Sequence, residues 1–170
     1  SMIAEAIAGT PDATWRKAQV AIGGVVLLAP ATFGGVLGAM ARVPSLATVV
    51  DGGSPAYGVL GGGGAWVIAA HVVSAPRARA TLEGDPQSGG LAVAGHAGTI
   101  DLMKAEGAWL GLAGGWVRVG SDRAAIESLG PYADRTLPTR PLPPAAIAAS
   151  MTDDALAGPI RETMQRRWAD

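Results

Sequence analysis

Two histidines, His71 and His96, and a scatter of carboxylates beside glycine-rich turns are the residues with which this chain could do chemistry. The imidazoles stand in no HxxxH, HxH or HExxH spacing, so a metal site built on two neighbouring rings is unsupported. His71 ends the apolar run Trp66-Val67-Ile68-Ala69-Ala70 and reads as a strand-end residue with a hydrogen bond. His96 falls in Ala94-Gly95-His96-Ala97-Gly98, a predicted turn between strands. Acid–base work on a glycosidic bond needs two carboxylates across a cleft. Asp51, Glu83, Asp85, Asp101 and Glu106 all lie near predicted turns, where acids most often cap the backbone or face water. The string Asp51-Gly52-Gly53-Ser54-Pro55 sets a proline where the helix of a nucleophile elbow would begin, which argues against a serine hydrolase. Gly61-Gly62-Gly63-Gly64 lacks the following Lys-Ser/Thr and the helix of a phosphate cradle, and reads as a hairpin loop. There is no cysteine, hence no disulfide, thiolate zinc site or cysteine nucleophile. The sequence thus assigns no catalytic, cofactor-binding or metal residue.

The remaining chemistry is aromatic. Tyr57, Trp66, Trp109 and Trp116 are the candidate ligand or interface contacts, because tryptophan buries a large apolar area and anchors either a core or a sugar- or partner-binding face. With aromatics at only 5% of the chain, core use is the stronger expectation. A groove lined by these rings, with Asp101 or Glu106 beside it, would make a polysaccharide-acting enzyme or carbohydrate-binding module the alternative. Thirteen Lys and Arg against 14 Asp and Glu leave a formal charge of −1, with no electrostatic footprint for nucleic acid.

The elements that must position these residues are mainly β. Glycine, at 25 of 170 residues, is far above ordinary usage and implies repeated tight turns. Between about residues 20 and 120, short apolar runs alternate with glycine punctuation. Predicted strands are Val20–Ile22, Val25–Ala29, Val36–Met40, Thr48–Val50, Tyr57–Leu60, Ala65–Val73, Arg77–Leu82, Leu91–Ala94, Thr99–Met103, Ala108–Leu112 and Trp116–Val119. Their spacing favours antiparallel hairpins over parallel crossovers, so a sandwich, a barrel or intertwined sheets are the expected architectures. Gly-Ala-Trp occurs at 64–66 and again at 107–109, each time opening an apolar run. The 43-residue spacing suggests either a duplicated hairpin or coincidence.

Short helical segments flank this β domain. Residues 1–19 form a predicted N-terminal helical segment, with Ile3 to Ala8 helical and Thr10-Pro11-Asp12 capping a second helix to Lys17. Residues 121–144 hold a short helix from Asp122 to Leu129, stopped by Gly130-Pro131, and a proline-rich linker from Leu137 to Pro144. Residues 145–170 form a C-terminal helical segment: one or two turns over Ala145–Ala149, then a helix whose Leu156, Ile160, Met164 and Trp168 recur on one side as candidate docking contacts. Ala18 to Met40 carries no charge over 23 residues and is long enough to cross a bilayer. Pro30 and Gln19 interrupt it, so buried strands are favoured over a membrane span or a signal peptide ending near Ala39-Met40-Ala41.

Gly95-His96-Ala97-Gly98-Thr99-Ile100, Glu106-Gly107-Ala108-Trp109-Leu110-Gly111-Leu112 and Gly115-Trp116-Val117-Arg118-Val119 together resemble a β segment in tail proteins of phages and gene-transfer particles. The resemblance covers residues 95–119. It implies a non-catalytic structural or attachment component of a phage-like particle, located in the virion or outside the cell. Its implied partners are further copies of the chain, with a trimer favoured, other virion proteins and a cell-surface glycan.

Overall fold

The computed structural model describes residues 3–7, 32–86, 90–141 and 148–151. Strands β1 (Ile3–Ile7), β2 (Ala56–Leu60), β3 (Trp66–His71), β4 (Val93–Ala97), β5 (Ile100–Lys104), β6 (Trp109–Ala113), β7 (Trp116–Gly120) and β8 (Ala148–Met151) form one eight-stranded sheet. Its order is β4-β5-β6-β7-β3-β2-β1-β8, and every neighbouring pair is antiparallel. The mainly β, hairpin-built class expected from the glycine punctuation is what forms. Among the described residues it is a single open sheet, with helices rather than a second sheet covering its faces.

Helices α1 (Phe33–Ala41), α2 (Leu46–Val49) and α3 (Ala75–Glu83) pack on one face. There Phe33, Leu37, Leu46, Val49 and Leu82 meet Met103, Leu110, Leu112, Val117 and Val119. Helix α4 (Arg123–Pro131), a π-helical turn (Tyr132–Thr136) and a 3-10 turn (Leu137–Thr139) cover the other. On that side Ile126, Ala133 and Leu137 pack on Tyr57, Val59, Val67, Ala69, Ile100 and Leu102. The alternation along β3, with Val67 and Ala69 on the α4 face and Trp66, Ile68 and Ala70 on the α1 face, is the two-residue period of a strand buried on both sides.

Several predicted elements take a different form. Val36–Met40 is helical because Thr32 caps α1, accepting a bond from the Gly35 N–H at 3.0 Å. Its run of small residues reads as strand only until that cap is counted. Thr48–Val50 is mostly helix α2, with Val50 alone bridging to Val72. Arg77–Leu82 lies in α3, started by Pro76 in its first turn and braced by Arg79 and Glu83 at 3.6 Å one turn apart. At the N-terminus, Ile3–Ile7 is a strand rather than a helix, because its backbone is paired on both sides, by β2 and β8. Likewise Ala148 and Ala149 belong to β8, not to a helical turn, so the sheet draws strands from both segments expected to be helical. His96 sits within β4, one residue before its end, and the turn follows it. The predicted linker begins as a 3-10 turn whose Leu137 is buried in the core. The predicted helix to Lys17, the strands at 20–22 and 25–29, and the docking contacts Leu156, Ile160, Met164 and Trp168 lie outside the described residues.

One charge pair sits inside this fold. Arg118, on central strand β7, points to the α4 face and forms an ion pair with Asp134 of the π-helical turn, the two side chains being 1% and 3% exposed. Burial pulls the guanidinium below its ordinary pKa, and the Asp134 charge opposes that fall. Glycines make the room for the arginine stem and for the side chains packed beside it. A Cβ on Gly130 would stand 2.9 Å from Arg118 Cδ, and one on Gly111, the cross-strand partner of Arg118, would stand 2.9 Å from Ile100 Cγ2 and 3.0 Å from Ile126 Cγ2.

Removing one partner leaves the other charge buried alone. Asp134→Ala should therefore cost about 3–5 kcal/mol in a urea unfolding measurement, whereas Arg118→Met combined with Asp134→Leu should recover most of it. A loss under about 1 kcal/mol for the single substitution would show that the pair does not secure α4 to the sheet.

Candidate functional site

At the end of the sheet where β3 stops and the β6–β7 hairpin turns, a cleft of about 330 Å³ opens between α3 and the sheet. Ala75, Pro76 and Arg79 of α3 form one wall, and Val72, Leu112, Ala113 and Trp116 form the apolar remainder. The hairpin tip is Gly114-Gly115, with φ of 56° and 82°. Two successive left-handed residues make the tight turn whose twist matches antiparallel strands, and glycine takes that conformation without steric penalty.

The polar edge is built on Asp101. The register of β4 with β5 sets His96 opposite Asp101, and the imidazole Nδ1 lies 2.9 Å from Asp101 Oδ1. From α3, the Arg79 guanidinium pairs with Asp101 Oδ2 and also reaches Glu83. One carboxylate thus receives two nitrogen groups from two elements, and all three side chains keep solvent access, at 45% for Arg79, 66% for His96 and 26% for Asp101. Thr99 adds a hydroxyl to the same rim.

Trp116 borders the same end of the sheet, but its ring packs on the α4 face, opposite α3. Its cross-strand partner His71 packs against it with ring centroids 3.7 Å apart and planes 35° apart, and Tyr57 meets it at 5.9 Å and 53°. Burial raises the Tyr57 phenol above its ordinary pKa. The loop before β2 closes this end. Asp51 accepts from Ser54 Oγ at 2.6 Å and from the Gly53 N–H at 2.9 Å, while its own N–H donates to the His71 carbonyl at 2.8 Å. Those side-chain and backbone bonds, with a smaller contribution from His71, lower the Asp51 carboxyl below its ordinary value.

The four aromatic contacts singled out from the sequence do not share a face. Tyr57, Trp109 and Trp116 belong to the α4 side and Trp66 to the α1 side. The two Gly-Ala-Trp elements each open a strand after a turn, β3 and β6, but the copies are not equivalent. Gly120 pairs with both Trp109 and Val67, so Trp66 is one residue out of step with Trp109 and points the opposite way.

Among the lining residues Asp101 is the single carboxylate, and Glu106 lies elsewhere in an exposed ion pair with Arg42. Two carboxylates facing each other across this cleft are therefore absent among the described residues, as is any group of three His, Cys, Asp or Glu side chains placed to hold a metal. The His96–Asp101–Arg79 cluster was not legible beforehand, because β4–β5 register and the helical form of α3 bring it together.

A second surface lies on the α1 face. Met40, Leu60, Trp66 and Ile68, with Gly58 and Val59 between them, line a groove of about 300 Å³ whose one polar side-chain group is the Trp66 indole N–H. Met40 and Leu60 are 42% and 43% exposed. No helix among the described residues is long and apolar enough to cross a membrane. No family model, curated protein or solved structure matches this chain.

Ser54 supplies the largest of the interactions that lower Asp51, so in Ser54→Ala the carboxyl should titrate closer to its ordinary value of 3.8, measured by NMR. The folded pKa lies below the unfolded one, so the stability it supplies is present above the ordinary carboxylate range and is lost as pH falls through the folded value. The variant should accordingly lose less stability on acidification, and an unmoved titration would remove Ser54 from this account.

Proposed function

We propose that this chain is a non-catalytic structural module that works by assembling with copies of itself, as a tail or attachment component of a phage-like particle would. The observation that carries this reading is the groove of Met40, Leu60, Trp66 and Ile68, since an apolar strip whose one side-chain hydrogen-bonding group is the Trp66 indole N–H offers little to a polar substrate and suits another protein's apolar side chains. Trp66 gives the strip the kind of aromatic anchor on which interface energy concentrates. A stable interface buries about 800 Å² on each partner, so the groove forms its centre and the surrounding surface its rim.

The particle setting rests on the likeness of residues 95–119 to tail proteins. That stretch forms β4 to β7 almost entire, a continuous antiparallel meander suited to a scaffold. A virion or extracellular location, a trimer and neighbouring virion proteins as partners belong to the same proposal.

The purified chain should sediment as a homo-oligomer, with a trimer as the expected order, and Leu60→Asp should shift it to monomer without lowering its melting temperature. A chain that is monomeric at its highest soluble concentration, or an oligomer indifferent to Leu60→Asp, would overturn docking through this groove.

A further inference from the structure

We propose that the groove of Met40, Leu60, Trp66 and Ile68 receives the C-terminal segment 152–170 of a neighbouring copy. The proposal rests on self-assembly through that groove and names the element that fills it. Residues 152–170 lie outside the described residues, so the argument runs from the shape of the groove, the sequence of the segment and the point where it leaves the sheet.

On the α1 face, Leu60 stands opposite Trp66 and Gly58 opposite Ile68. Gly58 brings no side chain to its pair, and the surface sinks there into a hollow of about 300 Å³. A hollow needs a ridge. Two such grooves pressed together would enclose empty space, and lining atoms without partners forfeit their dispersion contacts. Among the described residues the exposed large hydrophobic side chains are Met40, Leu60 and Val73. The first two belong to the groove, and Val73 lies beyond the far end of β3. A copy of this chain must therefore bring its ridge from outside the described residues.

The C-terminal sequence supplies one. Ile160, Met164 and Trp168 recur every fourth residue, with Arg161, Glu162, Gln165, Arg166 and Arg167 between them, and Pro159 suits the first position of a helix. At 1.5 Å per residue, Pro159 to Trp168 makes a helix about 15 Å long, with an apolar side to seat and a charged side to leave in water. Residues 8–31 fit less well. They are held at both ends by β1 and α1, and from Ala18 onward they carry no charge, which leaves no polar side for water.

The point of departure matches. In β8, Met151 pairs with Ile3, and Ile3 pairs with Leu60. The segment thus leaves the edge strand level with the groove, about 10 Å from Leu60, or two strand spacings. Residues 152–158 reach up to about 23 Å when extended, long enough to cross to a copy seated against the β8 edge. Each copy then gives one segment and accepts one, a head-to-tail contact that closes into a ring when the rotation allows.

The chain has no cysteine, so engineered pairs in the full chain report this contact directly. Leu60→Cys combined with Ile160→Cys, Met164→Cys or Trp168→Cys should, in at least one pairing, give covalent trimers or larger species on a non-reducing gel after mild oxidation. Each cysteine alone should stop at dimers. Met164→Asp should convert the homo-oligomer to monomer with an unchanged melting temperature, as Leu60→Asp does. Mixing those two monomeric variants should give a one-to-one dimer, because the intact segment of one meets the intact groove of the other. A disulfide confined to monomers would place the segment in its own groove and overturn the exchange. An oligomer that survives Met164→Asp but not Leu60→Asp would overturn the segment's role and leave assembly through the groove standing. A monomeric wild-type chain would overturn both.

Discussion

The fold depends on a positive charge buried under its central strand. Arg118 lies on β7, between β6 and β3, and its side chain is almost wholly removed from water. Taking one ion from water costs several kcal/mol even after relaxation, so a nearby opposite charge is a condition of the fold rather than an addition to it. Asp134 meets that condition only if the chain after α4 turns back on the sheet. The π-helical turn that carries it follows Pro131 directly, where a proline already removes one helical hydrogen bond and the regular repeat gives way. Gly130 completes the arrangement by leaving the volume that the arginine stem fills, and Gly111 leaves room for Ile100 and Ile126 beside it.

Once α4 is fixed over one face, the strands beneath it have two sides to satisfy, and the sequence shows the result. Leu110, Leu112, Val117 and Val119 serve the α1 side, while Gly111 and Arg118, between them in sequence, serve the α4 side. The meander therefore tolerates little slippage, since a one-residue shift would send Arg118 among the aliphatic side chains under α1 and α3. Both surfaces with functional potential inherit their geometry from this register. The cleft takes Asp101, Leu112 and Trp116 from three successive strands at one end of the sheet, and the groove takes Leu60, Trp66 and Ile68 from the hairpin beyond β7.

The legible parts of the fold were those coded locally. Five strands, from Tyr57–Leu60 to Trp116–Val119, stand within a residue or two of their expected places, because glycine turns and apolar runs mark them within a few residues. The start of helix α4 was equally legible from Ser-Asp, with Asp122 capping it through the Ala125 N–H at 2.8 Å, but the expected stop at Gly130-Pro131 does not hold, since both residues lie in the helix and the chain passes directly into the π-helical turn. The mistaken elements were those whose local signal conflicts with their environment. Small-residue runs such as Phe33–Ala41 serve either strand or helix, and a cap with a packed partner decided for helix. In Ile3–Ile7 the opposite occurred, because pairing with both β2 and β8 outweighs the weak helical preference of five residues.

By itself the sequence determined that this is an antiparallel, turn-rich protein with near-neutral charge, no cysteine chemistry and few aromatic anchors, because composition and turn residues act within a few positions of themselves. Tertiary structure alone decided which residues meet. The separation of Trp66 from Trp109, the convergence of Arg79, His96 and Asp101, and the burial of Arg118 against Asp134 all depend on strand register and helix placement. Register is set by the sum of many packing contacts across the sheet, and the spacing of residues along the chain does not contain it.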